Sequence, residues 1–361
     1  MNMTNQPDMT KTINDACEEA LKKRGHANIL IAGKTGVGKS TLINTVFQGR
    51  MAATGQGQPV TQSTKEYTKK GIPVSIFDTK GLEVKDYEPI LNELINFIET
   101  SKKNTDHKKH IHVGWFCIAE SSRRVEDAEI LLAKHLAKLM PLIIVITTAT
   151  SDQGFKHIVE ELLPFSANVV RINSIDLPMD GGFTFPPHGL SDLINLTMEV
   201  IPEGQKKAFV AAQKISLDLK VNQSHAIVAG AATAAAGIAA VPIPFSDAIG
   251  IIPIQISMLA GISAAFGLDL NKAFLHTLIS STFTAVAGSF GGRALVGALF
   301  KFFPGFGSAA GAAISAAVAA TITTTFGEAY IATLYALSKS SPDRELSGEE
   351  VAKAFKENLN K

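Results

Sequence analysis

Eight residues constrain the fold of this chain more than any others: Gly33-Lys34-Thr35-Gly36-Val37-Gly38-Lys39-Ser40. They stand between the apolar run ANILIA and the segment STLINTVF, whose apolar residues recur at helical spacing. That context predicts a buried strand running directly into a helix, with glycines at the turn. The eight residues fit G-x-x-x-x-G-K-[ST] without a gap. Small residues let successive backbone N–H groups turn inward, and the helix N-terminus adds a favourable dipole, so the loop suits phosphate oxygens. Lys39 is placed to reach the β and γ phosphates of a nucleoside triphosphate, and Ser40 to ligate Mg²⁺ through its hydroxyl. Gly33, Thr35, Gly36, Val37, Gly38 and Thr41 complete the expected nucleotide-binding set. A plain glycine loop is the alternative, and the flanking strand and helix argue against it.

A second signal follows. IPVSIFDTKG reads as an apolar strand ending in Asp78, and Asp78-Thr79-Lys80-Gly81 has the D-x-x-G form. A carboxylate at a strand end holds Mg²⁺ through water, and the Gly81 N–H is positioned for the γ-phosphate. Hydrolysis releases that contact, which makes the loop a switch. Between the two motifs lies the polar stretch GQGQPVTQSTKEY, where Thr61 is the candidate that senses γ-phosphate and metal, with Ser63 and Thr64 as rivals. Lys39, Thr61 and Gly81 are thus the expected catalytic residues, and Ser40, Thr61 and Asp78 the expected metal ligands.

The apolar segments HVGWFCIA, PLIIVITT and ANVVRINS alternate with helical patterns such as RVEDAEILLAKHLAKL and GFKHIVEELLPF. Such alternation predicts an α/β fold of three layers, a mainly parallel sheet with helices on both faces. The nucleotide belongs at the carboxyl ends of its strands.

With 361 residues the chain is long enough for two domains. Net charge is +1, from 34 basic and 33 acidic residues, so no nucleic-acid partner is expected. The charge is unevenly placed: Val221 to Ser338 carries only Asp247, Asp269, Lys272, Arg293, Lys301 and Glu328. This break suggests a helical leader at 1–26, a nucleotide domain at 27–202, an all-α hydrophobic domain at 203–340 and an amphipathic helix at 341–361. The N-terminal stretch lacks the apolar core of a secretory signal, and the two cysteines suit a reducing compartment, so the nucleotide domain is expected in the cytoplasm.

Together GKTGVGKSTLIN, the Thr61 loop and DTKG resemble the GTPases of the translation-factor-related class, nearest to the Era-like, septin-like and immunity-related groups. The resemblance covers about residues 28–200. It implies GTP as the ligand with Mg²⁺, slow hydrolysis coupled to switch loops, and in several relatives a homodimer across the nucleotide. Departures from the family pattern stand beside it. The family reads guanine with N/T-K-x-D; if Thr147 takes the first place here, Thr148 replaces the Lys and Thr150 the Asp, while Asp152 comes two residues late. Thr148, Asn173 and Ser174 remain as base-contact candidates, and ATP stays open. Where some relatives carry a water-orienting glutamine after D-x-x-G, this chain has Leu82, and Gly36 stands where potassium-activated relatives place asparagine. Arg123 and Arg124 are read as solvated, with a phosphate contact as the alternative. His107, His110 and His112 are read as something other than a metal site, since no Cys or carboxylate completes the set.

The tail holds uncharged runs at 226–246, 248–268, 273–292 and 302–327, of the length that crosses a bilayer. They are rich in Ala, Gly, Ser and Thr, which contribute little to insertion. Small residues at i and i+4, such as Gly230 and Ala234 or Gly307 and Gly311, suit close helix packing in lipid or in water. Pro242, Pro244 and Pro253 predict a break, with Asp247 capping the next helix. The segment resembles the hydrophobic helical domain of uncharacterised function found behind several bacterial GTPases. The expectation is a GTP-binding switch that controls a helical domain touching membrane lipid through residues 226–337, hence cytoplasmic and membrane-associated. A soluble nucleotide-dependent scaffold and an ATP-using P-loop NTPase are the alternatives.

Overall fold

The computed structural model describes residues 9–49, 51–52, 58–61, 64–79, 87–239, 247–287, 316–342 and 344–359. The chain divides into two compact units, residues 25–216 and residues 1–24 with 217–361.

The first unit is a mixed sheet clothed by helices. Its central strand β1 (Ala27–Ala32) is buried along its whole length, because it is covered on both faces. β4 (Val74–Thr79) lies parallel to it on one side and β5 (Val113–Ala119) on the other. Beyond β5 come β6 (Leu142–Thr147) and β7 (Asn168–Arg171), also parallel. β2 (Gln58–Pro59) and β3 (Thr64–Thr68) complete the opposite edge in antiparallel sense, giving the order β2-β3-β4-β1-β5-β6-β7. Alternation along the strands sends Leu30, Phe116 and Ile144 to one face, where α3 (Tyr87–Lys102), α4 (Asp127–Leu139) and α5 (Phe155–Leu162) cover them.

Aromatic stacking closes the other face. Phe47, just past α2 (Lys39–Val46), lies against Trp115 of β5 with ring centroids 5.7 Å apart and against Phe209 of α7 (Glu203–Ala212) at 6.2 Å. The buried Trp115 Nε1 donates to Thr197 Oγ1 of α6 (Leu190–Val200) at 3.1 Å, so its one polar atom is satisfied. A short hairpin, β8 (Leu177–Pro178) and β9 (Thr184–Phe185), projects between β7 and α6.

The segment from Glu203 forms two helices with a break between them. Gln213 turns out of helical geometry and pairs with Phe47; its Oε1 accepts the Ser216 N–H and its Nε2 donates to Ser216 O, both at 2.8 Å. The break leaves α7 with the sheet, so the division falls after Ser216 rather than near residue 202.

The second unit is all helical: α1 (Met9–Arg24), α8 (Leu217–Ala239), α9 (Asp247–Ala265), α10 (Lys272–Ala287), α11 (Ala316–Ser340) and α12 (Gly348–Leu359). Its core joins Ile13 and Cys17 of α1 to Leu259, Leu278, Tyr330 and Phe355, so the helix expected to stand as a separate leader is part of this unit. α8 and α11 pack closely at Gly327, where a Cβ would lie 2.5 Å from Val228 Cγ2. Tyr330, fully buried, shares a 2.7 Å hydrogen bond with Ser263 Oγ and packs on Phe355.

Pro253 sits inside α9 instead of ending it. The helix runs on past the one backbone bond it cannot make, to the carbonyl of Ile249. Asp247 is the first residue of that helix, while Pro242, Pro244, Gly307 and Gly311 lie outside the described residues. Ser347 starts α12 by accepting the Glu350 N–H at its Oγ. Among the described residues no helix is long and apolar enough to cross a membrane.

Candidate nucleotide-binding site

The loop Gly33–Gly38 leaves the carboxyl end of β1 and enters α2. Gly33 adopts φ +140°, and a Cβ there would lie 2.3 Å from Cys117 O of the neighbouring strand, so only glycine fits. Gly38 caps α2 in the left-handed region at φ +91°, which turns the helix N-terminus toward the loop. Lys39 folds back over this loop, its Nζ donating to Gly33 O at 2.8 Å and Lys34 O at 3.0 Å. Thr35, Gly36 and Ser40 are exposed, Val37 is buried and Thr41 half-buried. The loop is tied down at both sides. Thr147 Oγ1 donates to Val37 O at 2.6 Å, and Lys34 is ion-paired with Glu126 and Glu129 at the start of α4.

Asp78 ends β4 directly beside Ile31 of β1, on the rim from which the glycine loop springs. Its Oδ1 is buried without a hydrogen-bond partner. Burial pushes its carboxyl above the ordinary range, and the nearby Lys39 and Lys65 pull part of the way back. A buried carboxylate oxygen facing two cations but bonded to neither is an unsatisfied acceptor, which a hard cation or its water shell satisfies. Ser40 and Asp78 are the hydroxyl and the carboxylate that could serve such a cation on this rim.

Thr61 has a local role here: its Oγ1 accepts the Thr64 N–H at 3.0 Å, which holds the turn into β3. Thr64 is the buried one of the pair, at 1% exposure, and its Oγ1 has no partner. Gly81, Leu82 and Ser63 lie outside the described residues.

The base side is built from long-range contacts that local reading misses. Thr147, the last residue of β6, is tied to the glycine loop through its bond to Val37 O. Thr148 follows at φ +48°, its Oγ1 turned back to Thr147 O. Glu120, at the end of β5 and 1% exposed, accepts the N–H groups of Thr150 and Ser151 at Oε2, at 2.6 and 2.8 Å. Arg171, just before the last loop, grips Glu120 Oε1 through Nε at 2.7 Å and Nη2 at 2.6 Å. Burial alone would raise the Glu120 carboxyl, but the N–H groups of Ser151 and Thr150 and the Arg171 guanidinium together hold it below the ordinary range.

One expectation is corrected on this side: the Asn173 amide nitrogen donates to the carbonyls of Ile175, Phe185 and Pro186, anchoring the β8–β9 hairpin. Arg123 is exposed, and its guanidinium donates to Ser151 O and Asp152 O at 2.6 and 2.7 Å. Arg124 is exposed beside Glu126, and Ser174 is half-buried. His188 Nε2 reaches Ala149 O at 2.8 Å and joins the last loop to the one before it. A charged residue closing the apolar strand WFCIA and an arginine closing VV were the available signals for Glu120 and Arg171. The three histidines hold structure: His112 Nδ1 accepts the Asn28 N–H and its Nε2 donates to His107 O. Among the described residues no group of three His, Cys, Asp or Glu is placed for a metal ion.

Comparison with known proteins agrees with this geometry. Residues 28–148 match the family described as 50S ribosome-binding GTPase, and residues 205–360 match a domain of unknown function, DUF697. Translocase of chloroplast 101 from Physcomitrium patens is 46% identical over 56 residues, 15% of this chain and 6% of the relative. Cell division control protein 10 from Candida albicans is 23% identical over 199 residues, 46% of this chain and 56% of the relative. Septin-9 from Rattus norvegicus is 26% identical over 160 residues, 36% of this chain and 28% of the relative. The chain thus spans between a small fraction and about half of the length of these relatives. It carries a GTP-binding P-loop domain followed by a helical domain of the DUF697 type.

Proposed function

We propose that this chain hydrolyses GTP slowly and couples its nucleotide state to the helical unit. The observation that carries the reading is the convergence of the Gly33–Ser40 loop, Lys39 and the unsatisfied Asp78 on one rim of the sheet. The N–H groups of the loop and the first turn of α2 receive the phosphates, and Lys39 exchanges its carbonyl contacts for β and γ oxygens. Ser40 and Asp78 would hold Mg²⁺, with Thr61 joining them once the switch segment closes. The metal, when bound, neutralises charge on the β and γ oxygens. Gly81 completes the γ-phosphate contact, and Leu82 offers no group to orient water, which supports a low intrinsic rate and acceleration by self-assembly across the nucleotide or by another protein.

The test is equilibrium binding and phosphate release with magnesium and GTP. Lys39→Ala is expected to weaken GTP binding by about 100-fold or more, since it removes the one charged contact of the loop. Unchanged affinity in that variant rejects the assignment.

A second part of the reading concerns lipid. α8 presents Ala226, Ala229, Gly230, Thr233 and Ala234 to the outside, and α11 presents Thr321, Thr324 and Thr325. Apart from the exposed His225–Glu328 pair these surfaces are small and uncharged, which supports shallow contact of residues 226–337 with a membrane surface in the cytoplasm rather than a crossing. Flotation with liposomes in GTP-analogue and nucleotide-free states checks this; a chain that stays at the bottom of the gradient in both states leaves the scaffold reading in its place.

A further inference from the structure

We infer that the base side of this site reads purine triphosphates without a carboxylate, and therefore discriminates only weakly among GTP, ITP and ATP. The inference rests on the phosphate-site assignment above and concerns the other end of the same pocket. Guanine presents two adjacent donors, N1–H and the 2-amino group, and strong selection for it needs an ionised acceptor that takes both. With Thr147 aligned to the first place of the N/T-K-x-D pattern, Thr150 takes the place of the acceptor.

The buried carboxylate nearby is engaged elsewhere. Glu120 receives four bonds, two from the Thr150 and Ser151 N–H groups and two from Arg171, which fills the lone-pair sites of both oxygens. Asp152 comes two residues after Thr150, and its Oδ1 accepts the Lys156 N–H in the first turn of α5 and lies 3.4 Å from Arg171 Nε. Asn173, another side chain expected at the base, has its amide nitrogen donating to the carbonyls of Ile175, Phe185 and Pro186.

A threonine hydroxyl at position 150 both accepts and donates. It accepts from the N1–H of guanine or hypoxanthine, and it donates to the N1 of adenine. None of the three bases leaves it unpaired, so the penalty that enforces selectivity is missing. Arg171 and Arg123 hold the loop in this arrangement from both sides, through Glu120 and through the Ser151 and Asp152 carbonyls.

The experiment is equilibrium binding of N-methylanthraniloyl GTP, ITP and ATP to the full chain with magnesium, in the natural sequence and in Thr150→Asp. The natural chain is expected to bind the three within about tenfold of one another. Thr150→Asp is expected to raise the GTP-to-ITP affinity ratio at least tenfold, with ITP binding held within about threefold. A natural chain that prefers GTP over both others by about 1,000-fold or more overturns the inference, whatever Thr150→Asp does. Binding of none of the three overturns the phosphate-site assignment, and this inference with it. Tight, selective GTP binding removes the inference alone.

Discussion

At the scale of single residues, the most exposed consequence of the structure is at Glu120. A carboxylate this deeply buried is tolerated because it receives two backbone N–H groups and an arginine fork. Glu120→Ala strands Arg171 and the Thr150 and Ser151 N–H groups together, and is expected to cost about 3–5 kcal/mol. Glu120→Gln keeps the shape and one acceptor and is expected to cost less. Urea denaturation of both variants measures the difference; equal, small losses would show that the network does not hold the loop. The positions Gly33 and Lys39 differ in kind: one is fixed by a collision with Cys117 O, the other by a charge that has only carbonyls to bind until phosphate arrives.

At the scale of elements, the pairing of α8 with α11 depends on the missing side chain at Gly327. Gly327→Ala drives a methyl to within 2.5 Å of Val228 Cγ2, so the helices must separate, at an expected cost of about 1–3 kcal/mol. Gly230→Ala, with nothing near its Cβ, serves as the control and is expected to leave the melting temperature unchanged or slightly raised. The elements also show what could be read from sequence. The strand-loop-helix at Ala27–Val46 and the strand ending in Asp78 were legible because their chemistry is contiguous, and the fold class followed from the alternation around them. The base side was not legible, because Thr147 meets Val37, and Arg171 meets Glu120, across 110 and 51 positions of chain. The break at Gln213 was hidden for the same reason: it depends on a bridge to Phe47, while the local sequence favours helix throughout. Pro253 misled in the other direction, since α9 continues past the one interior bond that its ring removes.

At the scale of the molecule, stability should depend on pH through Lys220, fully buried in the helical unit with its Nζ donating to Phe266 O at 3.0 Å. Burial first, and the nearby Arg24 second, pull its ammonium down to about 7 from the usual 10.5. The sign follows from linkage. As pH falls from about 10.5 to about 7, the unfolded chain takes up a proton that the folded chain refuses, so stability declines across that window and levels off below it. Lys220→Met is expected to remove this slope and to raise stability at pH 7 by about 1–4 kcal/mol; denaturant midpoints at pH 7 and pH 9.5 test it, and a parallel offset at both pH values refutes the buried titration. The membership of α1 in the helical unit has a consequence for biogenesis. Residues 25–216 are made between α1 and its packing partners. At about 5–20 residues per second, the ribosome needs roughly 10–40 s to reach α8. During that interval Ile13, Ala16 and Cys17 have no partners of their own unit, which makes the nascent first helix a ready client for a chaperone that binds short apolar segments.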